Sequence, residues 1–216
     1  MTAGTVTFSV QVGSGGFAIA RAVAEKLGYR YYDWEVTSQA AEMAGVSPDI
    51  VAASERVPGF IERIMRRLAT APALSTEEAV LEPAPAMVVA AVQSLTLDDY
   101  RQLIERVVRE IADKGEAVLV GHAAQAILAD RSSVFKVLVL GSLQKRAERL
   151  AAEQHITAES ALTAIKQSDK DRAELFKRVY RIDWLDAAVY DLCVNTDNVP
   201  SEVSVEAVVA AARNMP

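Results

Sequence analysis

Near its start the chain reads Thr5-Val6-Thr7-Phe8-Ser9-Val10-Gln11-Val12-Gly13-Ser14-Gly15-Gly16. Residues 5–10 alternate with a period of two, are rich in β-branched and aromatic side chains, and run straight into a glycine turn. From Phe17 the apolar positions Ile19, Val23 and Leu27 recur at helical spacing, and Gly28 follows as a stop. A strand, a glycine loop and a helix are therefore predicted in immediate succession. Tyr29-Arg30-Tyr31-Tyr32 reads as a second short strand with Asp33 at its end.

Outward from this unit, residues 34–95 turn mainly helical. Helices are predicted over 35–43, over 48–54 with Ser47 as cap and Pro48 at the first position, and over 58–68. Residues 70–85 are rich in Ala and Pro and predict a break, while 86–95 form a nearly all-apolar helix. That helix offers a seam for a homodimer; packing on its own domain is the alternative. Thr96 caps an amphipathic helix over 97–114, with Leu103, Ile104, Val107, Val108 and Ile111 on its inner stripe. The continuous apolar runs 117–120 and 134–140 are those of strands covered on both faces. Helices are predicted over 123–128, 143–153 and 157–180, then a strand over 190–195 and a closing helix over 201–213. Strands alternating with helices predict an α/β fold with a parallel sheet and right-handed crossovers, in a single domain.

The 216 residues are 51% hydrophobic and 24% charged, with 10 Gly and 7 Pro, a globular composition that excludes disordered and collagen-like chains. Two His and one Cys exclude a disulfide framework and a four-ligand Cys/His zinc site. The lone thiol, Cys193, is expected in the core. A net charge of −6 argues against a sequence-blind grip on nucleic acid. No stretch approaches the roughly 20 apolar residues of a membrane helix, and no signal-peptide series opens the chain. A cytoplasmic protein with neither nucleic-acid nor membrane partners is expected.

In an open parallel sheet, ligands bind beyond the carboxyl ends of the strands, which draws attention to residues 13–16. The backbone N–H groups of Gly13, Ser14, Gly15 and Gly16, and the helix N-terminus behind them, suit a phosphate, with the Ser14 hydroxyl as a further donor. Neither G-x-G-x-x-G nor G-x-x-x-x-G-K-[ST] is met, since Gly16 stands where the lysine belongs and Phe17 and Ala18 follow it. A plain tight turn is the alternative.

A series of motifs, in order, adds a resemblance. Thr7-Phe8-Ser9-Val10-Gln11-Val12-Gly13-Ser14-Gly15-Gly16 is similar to T-I-S-R-Q-x-G-S-G-G, and Leu27-Gly28-Tyr29-Arg30-Tyr31-Tyr32-Asp33 to L-G-x-x-Y-Y-D. Val120-Gly121-His122-Ala123-Ala124-Gln125-Ala126-Ile127-Leu128 is similar to V-G-R-x-A-x-x-I-L. Lys145-Arg146-Ala147-Glu148-Arg149-Leu150 resembles the start of a lid region, and Asp169-Lys170-Asp171-Arg172, Asp183-Trp184 and Tyr190-Asp191-Leu192-Cys193-Val194-Asn195-Thr196 resemble D-K-x-R, D-W and Y-D-L-x-I-N-T. Together they resemble the cytidylate kinase-like family of phosphate-loop kinases.

The resemblance implies a P-loop-type five-stranded parallel sheet flanked by helices. Its core would be residues 1–33 and 96–216, its nucleoside-monophosphate-binding helical insertion residues 34–95, and its lid about residues 145–180. It implies phosphoryl transfer from ATP, with Mg²⁺, to a nucleoside monophosphate such as CMP or dCMP, a reaction governed by positioning and charge neutralisation. On this reading Arg146, Arg149 and Arg172 are the catalytic cations. Gly13, Ser14, Gly15, Gly16, Asp33, His122 and Lys170 would bind the nucleotide or its phosphates.

Three positions depart from the family pattern. Val10 and Phe17 stand where the family has arginines, and His122 replaces the arginine of V-G-R. No Ser or Thr follows the loop to hold Mg²⁺, so a metal would need Asp33 or another carboxylate, and its ligands are not assigned. Two readings stand side by side: an active monophosphate kinase, and a catalytically degenerate relative that binds a nucleotide, another phosphate-bearing small molecule or a protein. Arg63, Arg66, Arg67 and Arg178 are further candidate phosphate contacts, with a solvated charged surface as the alternative.

Overall fold

The computed structural model describes residues 2–45, 47, 48, 51 and 97–215. The helix expected over 58–68, the break over 70–85, the apolar helix over 86–95 with its dimer seam, the Thr96 cap, and Arg63, Arg66 and Arg67 lie outside the described residues.

Five strands form one parallel sheet: β1 (Thr5–Val10), β2 (Arg30–Tyr32), β3 (Ala117–Val120), β4 (Val134–Leu140) and β5 (Leu192–Asn195), in the order β2-β3-β1-β4-β5. Among the described residues the helices are α1 (Gly16–Leu27), α2 (Trp34–Ala44), α3 (Leu97–Lys114), the single turn α4 (Ala124–Ile127), α5 (Leu143–Gln154), α6 (Ala158–Leu175) and α7 (Ser201–Arg213). The predicted α/β architecture is the one observed.

β1 is central and buried throughout, and its two faces differ. Val6, Phe8 and Val10 pack with Ile19, Ala20 and Val23 of α1 and Val205, Val208 and Val209 of α7. The other face presents Thr5 and Thr7, in register with Ala117 and Leu119 of β3, which belong to a second core built with α2 and α3, and Ser9, in register with Leu138 of β4. The alternation read in the sequence therefore separates an apolar face from a hydroxyl face, with both covered.

Three expectations need correction. The helix expected to run unbroken to Tyr180 stops at Leu175 and widens into a π-helical turn, Phe176–Tyr180, closed by Arg181 at φ 59°. The wider turn seats Phe176 between Tyr180 and Trp184, with ring centroids 5.6 and 6.4 Å away. Second, β5 begins at Leu192, because Tyr190 leaves the strand path to donate its hydroxyl to the Trp184 carbonyl at 2.6 Å. Third, Cys193 is exposed. β5 is an edge strand whose Val194 turns into the core, so its neighbours on either side face outward.

Candidate functional site

The loop after β1 closes on itself through the Ser14 N–H, which donates to the Gln11 carbonyl at 3.0 Å. Gly13 (φ 77°) and Gly15 (φ 75°) are both left-handed, a conformation other residues rarely take. Gly13 has a second constraint. A Cβ there would lie 2.4 Å from the Arg146 carbonyl, so the loop rests directly on the backbone of α5. At Gly15 nothing lies within 4 Å of such a Cβ, and the loop backbone is open on that side. α1 begins at the next residue, so its first N–H groups, which have no intrahelical partner, point toward this opening. Ser14 does not supply the expected hydroxyl: its Oγ is buried in the loop without a hydrogen-bond partner.

Arg146 is only 3% exposed. It gives Nη1 and Nη2 to the two carboxylate oxygens of Asp169 (3.1 and 2.7 Å), Nε to the Gly141 carbonyl (3.0 Å) and Nη1 also to the Val12 carbonyl (3.3 Å). Arg149 donates to the hydroxyl and carbonyl of Thr196 at 3.0 and 2.6 Å, with the Gly13 carbonyl 3.5 Å away. Both guanidiniums point at main-chain oxygen of the loop and its surroundings. Lys170, the third basic candidate outside the cavity, is exposed and lies 3.8 Å from Glu174.

A cavity of about 420 Å³ opens beyond the carboxyl ends of β1 and β3, where the strand order changes direction. Of the predicted site residues, Asp33, His122 and Arg172 line it; Gly13, Ser14, Gly15, Gly16, Arg146, Arg149 and Lys170 do not. The loop borders it through Phe17, which is 47% exposed. Arg172 also donates to the Val10 carbonyl and places its guanidinium 5.0 Å over the Trp184 ring. His122 and Ala123 are both left-handed at φ 53°, and this bend carries the His122 Nε2 to 2.7 Å from the Asp33 carbonyl. A carbonyl only accepts, so Nε2 carries the proton. At the back of the cavity, buried Gln125 donates to Tyr190 at 3.3 Å, and burial pushes the Tyr190 phenol up.

Among the contributors to the walls that sequence reasoning missed are Arg101 and Ile104 from α3, Trp34 and Thr37 from α2, and Tyr180 from the π-helical turn. Arg101 had a signal. It precedes Ile104, Val108 and Ile111 at helical spacing and therefore shares the inner stripe of α3. Arg101 pairs with Asp98 one turn before it.

Among the described residues no three His, Cys, Asp or Glu side chains converge on a metal. Asp33 and Asp171 do line the cavity. This donor set fits an ion such as Mg²⁺ carried in on nucleotide phosphates, with its waters held by one of these carboxylates.

The sequence profile of the cytidylate kinase-like family matches residues 5–198. The chain belongs to that family. It is 30% identical over 101 residues to a cytidylate kinase of Methanopyrus kandleri, a match covering 43% of this chain and 52% of that protein. It is 29% identical over 115 residues to one of Methanothrix thermoacetophila, covering 53% and 64%. The chain thus spans between half and two thirds of these two relatives. Among solved structures, an uncharacterized protein from Eubacterium ventriosum superposes with a TM-score of 0.66 at 18% identity, over 96% of this chain and 97% of that one. A gluconokinase from Sinorhizobium meliloti gives 0.53 at 16% identity, over 98% and 92%. At these identities the two likenesses show the fold alone, a five-stranded parallel sheet flanked by helices.

Proposed function

We propose that this cytidylate kinase-like chain takes a nucleoside monophosphate, CMP or dCMP, into the cavity beyond β1 and β3, and that it transfers phosphate from ATP far more slowly than a loop with its full set of cations would. The observation that carries this reading is the division of the arginines. Arg101 and Arg172 line the cavity together with Asp33 and His122, whereas Arg146 and Arg149 are taken up by Asp169, Thr196 and loop carbonyls. The two cations on the acceptor side thus border the cavity while held by the protein, Arg101 by Asp98 and Arg172 by the Val10 carbonyl. On the donor side the loop offers backbone N–H groups and the ring of Phe17.

Phosphoryl transfer depends on charge held in place around the moving group. Removing one preorganised donor of this kind costs about 10²–10³ in rate. With valine and phenylalanine at two of the family's arginine positions and histidine at a third, ATP, with Mg²⁺ held through Asp33 or Asp171, would be bound but poorly activated. In this proposal residues 34–95 belong to the monophosphate side, and residues 145–180 close over the loop with Arg146 and Arg149 turned to its carbonyls.

Family membership favours a second reading, a monophosphate kinase of ordinary speed in which other side chains supply the missing charge. Calorimetric titration with CMP and dCMP tests the binding they share: a micromolar dissociation constant is expected, and no heat at millimolar ligand would contradict both.

A further inference from the structure

Two large aromatic side chains border the cavity while remaining about half exposed, Phe17 at 47% and Trp34 at 50%. By contrast, the other tryptophan, Trp184, is 1% exposed. An indole left in water at a cavity rim forgoes burial that a ligand could supply, and large amphipathic rings at such rims suit flat aromatic partners. We propose that Trp34 is the platform on which the nucleobase of the bound monophosphate stacks. The proposal rests on reading the cavity as a nucleotide site.

Placement distinguishes Trp34 from Phe17. Phe17 sits in the first turn of α1, directly behind the glycine loop, where helix N–H groups attract the anionic end of a ligand. Trp34 is the first residue of α2, separated from β2 by Asp33 alone. In the sheet order β2-β3-β1, two strand spacings separate the end of β2 from the end of β1, about 10 Å at roughly 4.8 Å per strand. A ribose bridges such a gap between a phosphate near Arg172, which is fixed to the Val10 carbonyl, and a base at the β2 end. The rest of that end is built for a flat ring with a polar edge. Thr37 lies one turn after Trp34 on α2, and Arg101 and Ile104 form the α3 side of the same cavity.

Trp34 is one of two tryptophans, and the other is buried, so it can be read directly. Intrinsic fluorescence with acrylamide quenching, and calorimetry, would be run with CMP and with ribose 5-phosphate on the wild type, Trp34→Ala and Trp34→Phe. Expected are shielding of the exposed indole by CMP but not by ribose 5-phosphate, and a loss of CMP affinity in Trp34→Ala of about 5- to 150-fold. Ribose 5-phosphate affinity should hold, and Trp34→Phe should restore most of the loss. If the wild type binds CMP while Trp34→Ala binds it equally well, or loses both ligands alike, stacking is overturned and the nucleotide site stands. If the wild type binds neither ligand, the nucleotide site fails and stacking fails with it.

Discussion

Arg146 and Asp169 form a two-pronged ion pair at 2.7 and 3.1 Å, and the same guanidinium holds the Val12 carbonyl at 3.3 Å. A helix-to-helix contact and the backbone of the glycine loop are thus fixed by one side chain. A buried arginine left without its carboxylate keeps the desolvation cost and loses the attraction. Asp169→Ala should destabilise the protein by about 2–4 kcal/mol in urea unfolding. Arg146→Lys should fail to restore the native value, since an ammonium cannot reproduce the planar fork. Wild-type stability in either variant would show the pair to be incidental.

Arg172 faces the ligand cavity as well as Val10 and Trp184. Charge-assisted hydrogen bonds contribute about 1.5–3 kcal/mol. Arg172→Ala should therefore weaken CMP binding by roughly 10- to 150-fold in calorimetry. An unchanged dissociation constant would place the phosphate elsewhere.

Phe17 occupies a position where the family pattern has arginine, and its ring is half in solvent, so a longer cation fits there without disturbing the core. Phe17→Arg should raise ATP–Mg²⁺ affinity and phosphoryl transfer, the latter by about 10²-fold if one preorganised charge is restored. A coupled ADP-release assay reads this, and no gain would mean that the loop itself is not competent.

Asp197 accepts the Ser142 N–H at 2.9 Å, and this bond, with Lys145 and Arg149 nearby, holds its carboxyl below the usual range. A carboxylate whose pKa is depressed by folding stabilises the fold above its unfolded value, about 3.9, and loses that contribution as pH falls through the lower folded value. Asp197→Asn should melt below the wild type from pH 7 to 5, and the gap should close on acidification below about pH 4. A gap that does not narrow as pH falls below about 4 would contradict the assignment.

Cys193 is exposed, yet partial burial against its neighbours pushes its thiol up. Disulfide reagents should titrate one thiol per native chain, at pH 7 more slowly than a free cysteine, because only the thiolate attacks. Labelling that requires denaturant would return this residue to the core.

Much of the fold was legible because its determinants are local. The period-two run before Gly13, the helical spacing behind Phe17 and the stop at Gly28 each act within a few residues, and all three appear as read. Cys193 misled because its apolar strand looks like the buried ones, and only the strand order makes it an edge. The site was legible in composition but not in assignment. Asp33, His122 and Arg172 reach the cavity, whereas Arg146 and Arg149 carry the same chemistry and are drawn off by Asp169 and Thr196, residues 23 and 47 positions away. Helical spacing places Arg146 and Arg149 on one face without naming their partners. The π-helical turn that brings Phe176 and Tyr180 to the cavity has no period of its own to read.

A competent monophosphate site beside an under-charged donor loop calls for calorimetric titration of CMP followed by a coupled ADP-release assay on the same sample. Micromolar CMP binding is expected, with turnover at least about 10²-fold below the roughly 1–100 s⁻¹ typical of kinases. Turnover within that ordinary range, or no binding of CMP and dCMP, would contradict it.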